Sequence, residues 1–219
     1  FVTPDATASR FGGPGKVSDS PSRAYEANLQ FTFPVLKRHI VTLGGSFRYN
    51  WSETEEKNLT YWKDEDSKTT LVYKSKGRDR SYAFFAQDEI ALHDTMTLYL
   101  GIRQDQWIAY DGYTNDIGKA GFPIHYGSTD ASSFSPKAAV VYKPFSDTTI
   151  RASGGQAFRP PTIYELYRTW TSGGTTYAGN PNLKPEKSLS WDIGGEQRLW
   201  KGFLIKASYF ESYIEDMIY

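Results

Sequence analysis

The stretch YEANLQFTF, Tyr25 to Phe33, sets Tyr25, Ala27, Leu29, Phe31 and Phe33 on odd positions and Glu26, Asn28, Gln30 and Thr32 on even ones. Period two, with one apolar and one polar side, marks a β-strand whose two faces meet different surroundings. After a short turn over residues 34–38 the pattern resumes, with Val41, Leu43, Phe47, Tyr49 and Trp51 against Thr42, Gly44, Ser46, Arg48 and Asn50. Two such runs joined by a tight turn predict an antiparallel hairpin.

The same grammar extends along the chain. Tyr82, Phe84, Ala86, Ile90 and Leu92 oppose Ser81, Gln87 and Glu89, with Phe85 and Asp88 as exceptions. After a turn at 93–95, Met96, Leu98, Leu100, Ile102 and Ile108 oppose Thr97, Gly101, Arg103 and Asp105, and Tyr99 and Trp107 interrupt the polar side. Phe134, Ala138, Val140 and Tyr142 follow, then Ile150, Ala152 and Phe158, then Leu189, Trp191 and Ile193, and last Phe203, Ile205, Ala207, Tyr209 and Tyr213. About eight strands result. Short turns near Pro34, His93, Pro144 and Trp200 alternate with long stretches at 52–80, 109–132 and 159–184, which read as irregular loops. The only helical expectation is a turn or two between Thr162 and Tyr167.

Composition narrows the class. The 219 residues carry 25 Lys and Arg against 25 Asp and Glu, so no net field draws the chain to nucleic acid. Absence of cysteine removes disulfide frameworks, thiolate metal sites and cysteine nucleophiles. Mean hydropathy is −0.56 and no apolar run approaches the roughly 20 residues of a spanning helix, so any membrane span is a barrel. Phe1 does not begin a targeting segment, because the first residues have neither a basic start nor an apolar stretch, and the start reads as an interior cut of a longer chain.

Alternation alone fits a membrane barrel and a sandwich equally. Regularity over about ten residues per strand, near the 9–11 that cross a bilayer at a tilt, favours the barrel. So do the alternating short and long connections. Aromatic residues are 16% of the chain, and Tyr25, Phe33, Tyr49, Trp51, Tyr142 and Trp191 fall near strand ends, where amphipathic rings sit at lipid headgroups. The short turns are then periplasmic, and the long loops together with residues 1–21 are external. Glu26, Arg48, Arg103, Asp105, Lys137, Arg151, Asp192, Glu196 and Lys206 point inward, at low cost only in a wet or plugged lumen, hence a wide barrel.

From Gly154 the chain reads GGQAFRPPTIYELYRTWTSGGTTYAGNPNLKPEKSLSWDIGGE, which closely resembles a signature segment of TonB-dependent outer-membrane receptors. The corresponding elements are Phe158, Arg159, Pro160 and Pro161, then Tyr164 to Tyr167, then Asn180, Pro181, Asn182 and Leu183, and finally Lys184, Pro185 and Glu186. FFAQDEIAL from Phe84, LYLGIRQDQW from Leu98 and FSPKAAVVYKP from Phe134 resemble the family's paired strands. Pro160 departs from the family's usual alanine but suits an extended backbone before Pro161. The resemblance implies an all-β, antiparallel transmembrane barrel of about 22 strands with an N-terminal plug, of which residues 1–219 form part, the plug and the last strands lying outside the chain. It further implies import across the Gram-negative outer membrane of a ferric siderophore, cobalamin or a similar scarce nutrient by a monomer. Outer-membrane lipid surrounds it, and the TonB energy-coupling protein drives it through the plug.

Within the signature segment, Arg159, Tyr164, Glu165, Tyr167 and Trp170 offer charge and flat rings to a ligand. Phe158, Arg159, Pro161, Asn180, Pro181, Asn182, Leu183, Pro185 and Glu186 equally suit a scaffold turn, since proline and asparagine preorganise extended and turn backbone without any ligand. Haem receptors of the family carry a histidine between the two boxes, and residues 162–179 hold none, which disfavours haem ligation. His39 and His93 fall in turns and His125 lies in a loop, and the acidic run Asp64, Glu65, Asp66 lacks the glycine turn of a calcium loop, so no metal or cofactor site is expected. No local nucleophile signature occurs, so no enzyme is expected. Two alternatives stay open: a complete eight-stranded barrel with a passive or adhesive role, and a secreted sandwich binding carbohydrate through loop tyrosines.

Overall fold

The alternating segments pair, each with its neighbour in sequence, into a single large antiparallel sheet; the computed structural model describes residues 1–172 and 175–218. The strands are β1 (Val2–Pro4), β2 (Gly15–Asp19), β3 (Ser22–Val35), β4 (His39–Leu59), β5 (Lys68–His93), β6 (Met96–Asp116), β7 (Ile124–His125), β8 (Thr129–Phe145), β9 (Thr148–Arg159), β10 (Trp170–Ser172), β11 (Thr175–Tyr177), β12 (Glu186–Trp200) and β13 (Phe203–Glu215). Among the described residues one α-helix, α1 (Ile163–Tyr167), stands between β9 and β10. The two strands β10 and β11 form a separate hairpin.

Both β2 and β3 pair with β4. Gly15 to Asp19 take its upper part, opposite Leu59 to Glu55, and Ser22 to Val35 take its lower part, opposite Ser52 to His39. Between them the Glu53 amide donates to the Pro21 carbonyl at 3.1 Å. The two strands are one line of chain interrupted at Pro21, which lacks the N–H that would continue the ladder. The tight connections β3–β4, β5–β6, β8–β9 and β12–β13 all lie at one end of the sheet, and Gly202 at the last of them takes φ +83°, a conformation that favours glycine.

Register divides the side chains as the alternation predicts. Tyr25 faces Tyr49, Phe47 faces Tyr82, and Leu29, Phe31, Leu43, Phe84, Leu100, Ile102, Phe134, Ile150, Leu189 and Ile193 all stand open on one face. Phe84 is 73% and Phe31 59% exposed. A continuous apolar face of this extent is untenable in water and finds its solvent in hydrocarbon. The opposite face carries the predicted charges, many of them paired: Arg103 Nε donates to both Asp105 oxygens at 3.0 and 2.9 Å, and Glu196 accepts from Arg151 at 2.9 Å and meets Lys206 at 3.3 Å. The two exceptions are explained by local contact. Phe85 turns inward over Gly44, where a Cβ would lie 2.3 Å from its ring, and the outward Asp88 is bonded to His39 at 2.7 Å.

Three expectations change. Residues 52–80 and 109–132 are irregular only in part: β4 and β5 run on together to Leu59 and Lys68, β6 continues to Asp116 and β8 begins at Thr129, which leaves turns at 60–67 and, apart from the two-residue β7, at 117–128. Above the apolar band the outer face meets water, so strand pairing persists without apolar side chains to announce it. The sheet also does not close on itself, since β3 pairs only with β4 and β13 only with β12, which removes the closed eight-stranded barrel. No second sheet packs face to face on the large one among the described residues, which removes the sandwich.

The apolar band predicts a face-dependent cost of charge. Leu100→Arg, outward within the apolar band, should destabilise the folded protein by about 2–4 kcal/mol in lipid vesicles, while the inward Thr97→Arg should cost under about 1 kcal/mol. Urea titration of the vesicle-inserted full-length protein measures both.

Candidate functional site

The segment between β9 and β12 crosses the inner face at the end opposite the tight turns. It first makes one turn of helix. Thr162 Oγ1 accepts from the Glu165 amide at 3.2 Å, and the Glu165 carboxylate accepts from the Thr162 amide at 2.7 Å, a reciprocal cap that starts α1. The helix buries Ile163, Leu166 and Tyr167 against Trp107 and Ala109 of β6, with Phe158, Leu183, Tyr126 and Ala131 around them. Tyr167 is 2% and Leu166 0% exposed.

The wall is shaped to receive this helix. Tyr167 lies over Gly77 of β5 and Gly112 of β6, where a Cβ would come within 2.7 and 2.5 Å of its ring. Its carbonyl, left without a partner by the short helix, accepts from Thr114 Oγ1 at 2.7 Å and from Tyr73 Oη at 3.4 Å. Tyr73 Oη in turn accepts from the Thr169 amide at 2.7 Å, and burial raises its phenol above the usual value.

Arg159 joins the two ends of the segment. Its Nε and Nη2 grip Glu186 at 2.7 and 2.8 Å in a two-pronged fork, and its Nη1 reaches Glu165 at 3.1 and 3.2 Å. Glu186 also accepts from the Ile218 amide at 2.7 Å. The Arg159 guanidinium, followed by that amide, holds the Glu186 carboxyl down at about 2. Asn180 completes the frame: its amide donates to the Glu165 carbonyl at 3.0 Å, and its side chain accepts from the Asn182 amide at 3.0 Å. Pro181 and Pro185 flank these bonds and stiffen the return to β12.

The candidate ligand residues therefore separate into two groups. Arg159, Glu165 and Tyr167 are occupied in holding the segment, and Phe158 and Leu183 pack beneath it. Tyr164 and Trp170 stand above. Trp170 stacks on Tyr177 with centroids 4.5 Å apart and planes 14° from parallel, Tyr164 lies 6.5 Å from Trp170, and the Arg168 guanidinium covers Tyr164 at 4.7 Å. Tyr164 and Tyr177 are 40% and 48% exposed. Sequence reasoning missed Tyr177, and it missed the receiving wall of Tyr73, Gly77, Trp107, Gly112 and Thr114. The isolated glycines were the available signal, because a glycine within a strand often marks a close approach.

Two outcomes follow from this anchor. Gly112→Ala should drive a methyl into the Tyr167 ring and loosen α1, with a loss of about 1–3 kcal/mol from overpacking, read as faster amide exchange at Leu166. As for pH, a carboxyl held below its ordinary 4.5 contributes stability that is complete above that value and is lost as pH falls through about 2. Exchange protection of α1, corrected for intrinsic rates, should thus hold from neutral pH to about 5 and decline from about 4.5 towards 2. Glu186→Gln should abolish that decline.

A family model described as "TonB dependent receptor-like, beta-barrel" matches residues 3–219. The hemin receptor of Yersinia enterocolitica is 31% identical over 148 residues, covering 60% of this chain and 20% of that protein. The iron-regulated outer membrane virulence protein of Vibrio cholerae is 26% identical over 128 residues, covering 58% and 19%. Among solved structures, the copper transporter OprC matches 93% of this chain and 32% of its own with a TM-score of 0.70 at 18% identity. The ferric yersiniabactin uptake receptor FyuA of Yersinia pestis matches 94% and 30% with a TM-score of 0.64 at 12% identity. The matched region spans about a fifth of the curated relatives. With the family model spanning nearly its whole length, the chain belongs to the TonB-dependent receptor β-barrel family.

Proposed function

We propose that the chain is part of the wall of an outer-membrane receptor that imports an iron complex, of which a ferric siderophore is the best fit. The single observation that carries this is the ring cluster Tyr164, Trp170 and Tyr177, held open above a polar inner wall by a segment anchored through Arg159, Glu165 and Asn180. Flat rings on a rigid mount bind planar, conjugated or aromatic groups with little ordering cost. A mobile loop would lose that advantage.

Relatives named as a hemin receptor and as an iron-regulated outer membrane protein support an iron cargo. Between Thr162 and Gly179 the chain has no histidine, so an axial haem ligand would have to come from elsewhere. That favours a siderophore, whose iron arrives already chelated. The outward apolar face supports an outer-membrane position, where strands alone cross the bilayer. Energy would come from TonB through a plug outside this chain, and the barrel would work as a monomer. Its work is binding and passage, with no bond made or broken.

In iron-starved cells, Trp170→Ala and Tyr177→Ala in the full-length protein should each weaken binding of a catecholate ferric siderophore about 10- to 30-fold without loss of folded protein. Radiolabelled uptake should cease when the proton gradient is collapsed. Undiminished uptake by the double variant would reject the ring cluster as the capture surface, and uptake indifferent to the gradient would reject energy coupling.

A further inference from the structure

The outward apolar face is not evenly ridged. An apolar groove of about 670 Å³ runs obliquely across it, walled by Leu100, Ile102 and Leu189 and shallow where Ala86, Ala138 and Gly154 form the floor. It passes over β4, β5, β6, β8, β9 and β12, five interstrand steps or about 24 Å. Val41 at one end lies two residues from the start of β4, whereas Leu189 at the other lies eleven from the end of β12, so the groove climbs away from the tight turns. With strands tilted near 45°, 24 Å of groove rises about 17 Å, close to half of a roughly 30 Å hydrocarbon core. That is the depth of one leaflet.

The lower end of the groove is polar. Asp88 lines it there, with Oδ2 2.7 Å from His39 Nδ1 and Oδ1 without a hydrogen-bond partner among the described residues. A carboxylate on a lipid-facing surface carries a desolvation cost that one imidazole offsets only in part. Only the outward Ile90 and Leu92 separate Asp88 from the end of its strand, so it stands near the edge of the apolar band. Two cations lie beside it in the turn between β3 and β4. Arg38 Nη1 donates to the Leu92 carbonyl at 2.8 Å, which draws its guanidinium against the foot of β5, and Lys37 precedes it. Neither has a carboxylate within 4.0 Å among the described residues. The foot of the groove therefore presents both signs of charge, an acid on the sheet and two bases at its rim.

We infer that the groove holds one acyl chain of a zwitterionic aminophospholipid from the leaflet on the side of the tight turns, with the ammonium at Asp88 and the phosphate at Lys37 and Arg38. The apolar track takes the chain, the carboxylate selects the ammonium, and the two cations take the phosphate. An anionic phospholipid fits less well, because it leaves Asp88 uncompensated. The site lies on the face opposite the ring cluster and rests on the outer-membrane reading given above.

The test titrates the delipidated full-length protein in detergent with phosphatidylethanolamine and with phosphatidylglycerol of the same chains, read by native mass spectrometry. Phosphatidylethanolamine should bind the parent about tenfold more tightly, the scale of one charge-assisted hydrogen bond. Asp88→Asn should remove the preference by weakening phosphatidylethanolamine alone. Lys37→Gln with Arg38→Gln should weaken both lipids about 25-fold, fivefold per charge. Ala138→Phe, which fills the floor of the groove from the lipid side, should weaken both as well. Equal affinity of the parent for the two lipids, a preference that survives Asp88→Asn, or parental binding by Ala138→Phe would each overturn the proposal. A separate measurement isolates the premise: brominated acyl chains in nanodiscs should quench the parent more than Trp191→Phe, which lacks an outward tryptophan of β12. Equal quenching would overturn the membrane placement and the lipid site together, whereas unequal quenching without lipid preference would overturn the lipid site alone.

Discussion

A strand in hydrocarbon must have its amide and carbonyl groups paired from side to side, because no water is present to receive them. This constraint organises the whole chain. It demands long neighbouring strands in strict register, and β4 with β5 supplies an unbroken ladder from His39 and Ile90 to Glu56 and Tyr73. It also leaves the side chains free to serve two solvents at once. The apolar row from Leu29 to Ile193 faces one way, and the Arg103–Asp105 and Arg151–Glu196–Lys206 groups face the other.

Wherever the outer surroundings are hydrocarbon, the fold was legible in the sequence. Tyr25 to Phe33 and Val41 to Trp51 could be placed, oriented and paired from hydropathy alone. Legibility ended at the headgroups. The run LVYKSKGRDR, residues 71–80, still alternates, but its outward members are Lys74, Lys76, Arg78 and Arg80, while Tyr73, Ser75, Gly77 and Asp79 point inward and are buried. The polarity of the two faces is inverted there because the outward side has entered water and the inward side is covered by α1. A reading tuned to apolar-out sees this as loss of pattern.

Much of the anchored segment was readable as chemistry and only partly as geometry. Thr162 to Glu165 is a local capping motif, and α1 starts where it predicts. What could not be read was occupancy. Arg159 and Glu165 look equally available to a ligand or to each other in one dimension, and only the approach of Glu186, 27 residues along the chain from Arg159, commits them. Tyr167 looks like a recognition ring until Gly77 and Gly112 of two other strands are seen to accommodate it. Long-range coincidences of this kind leave no periodic trace.

The height of the β4–β5 hairpin has a consequence for where the chain tolerates change. Its 26-residue strand β5 spans about 86 Å along its own axis, far more than a bilayer needs. Much of it therefore rises above the lipid as a laddered ribbon, stiff where an unpaired loop would fold over. The turn of residues Glu65–Ser67 at its tip, acidic and without a buried residue, is carried clear of the surface. Changes of sequence in that tip touch no packed core, so they leave the membrane-embedded sheet below undisturbed.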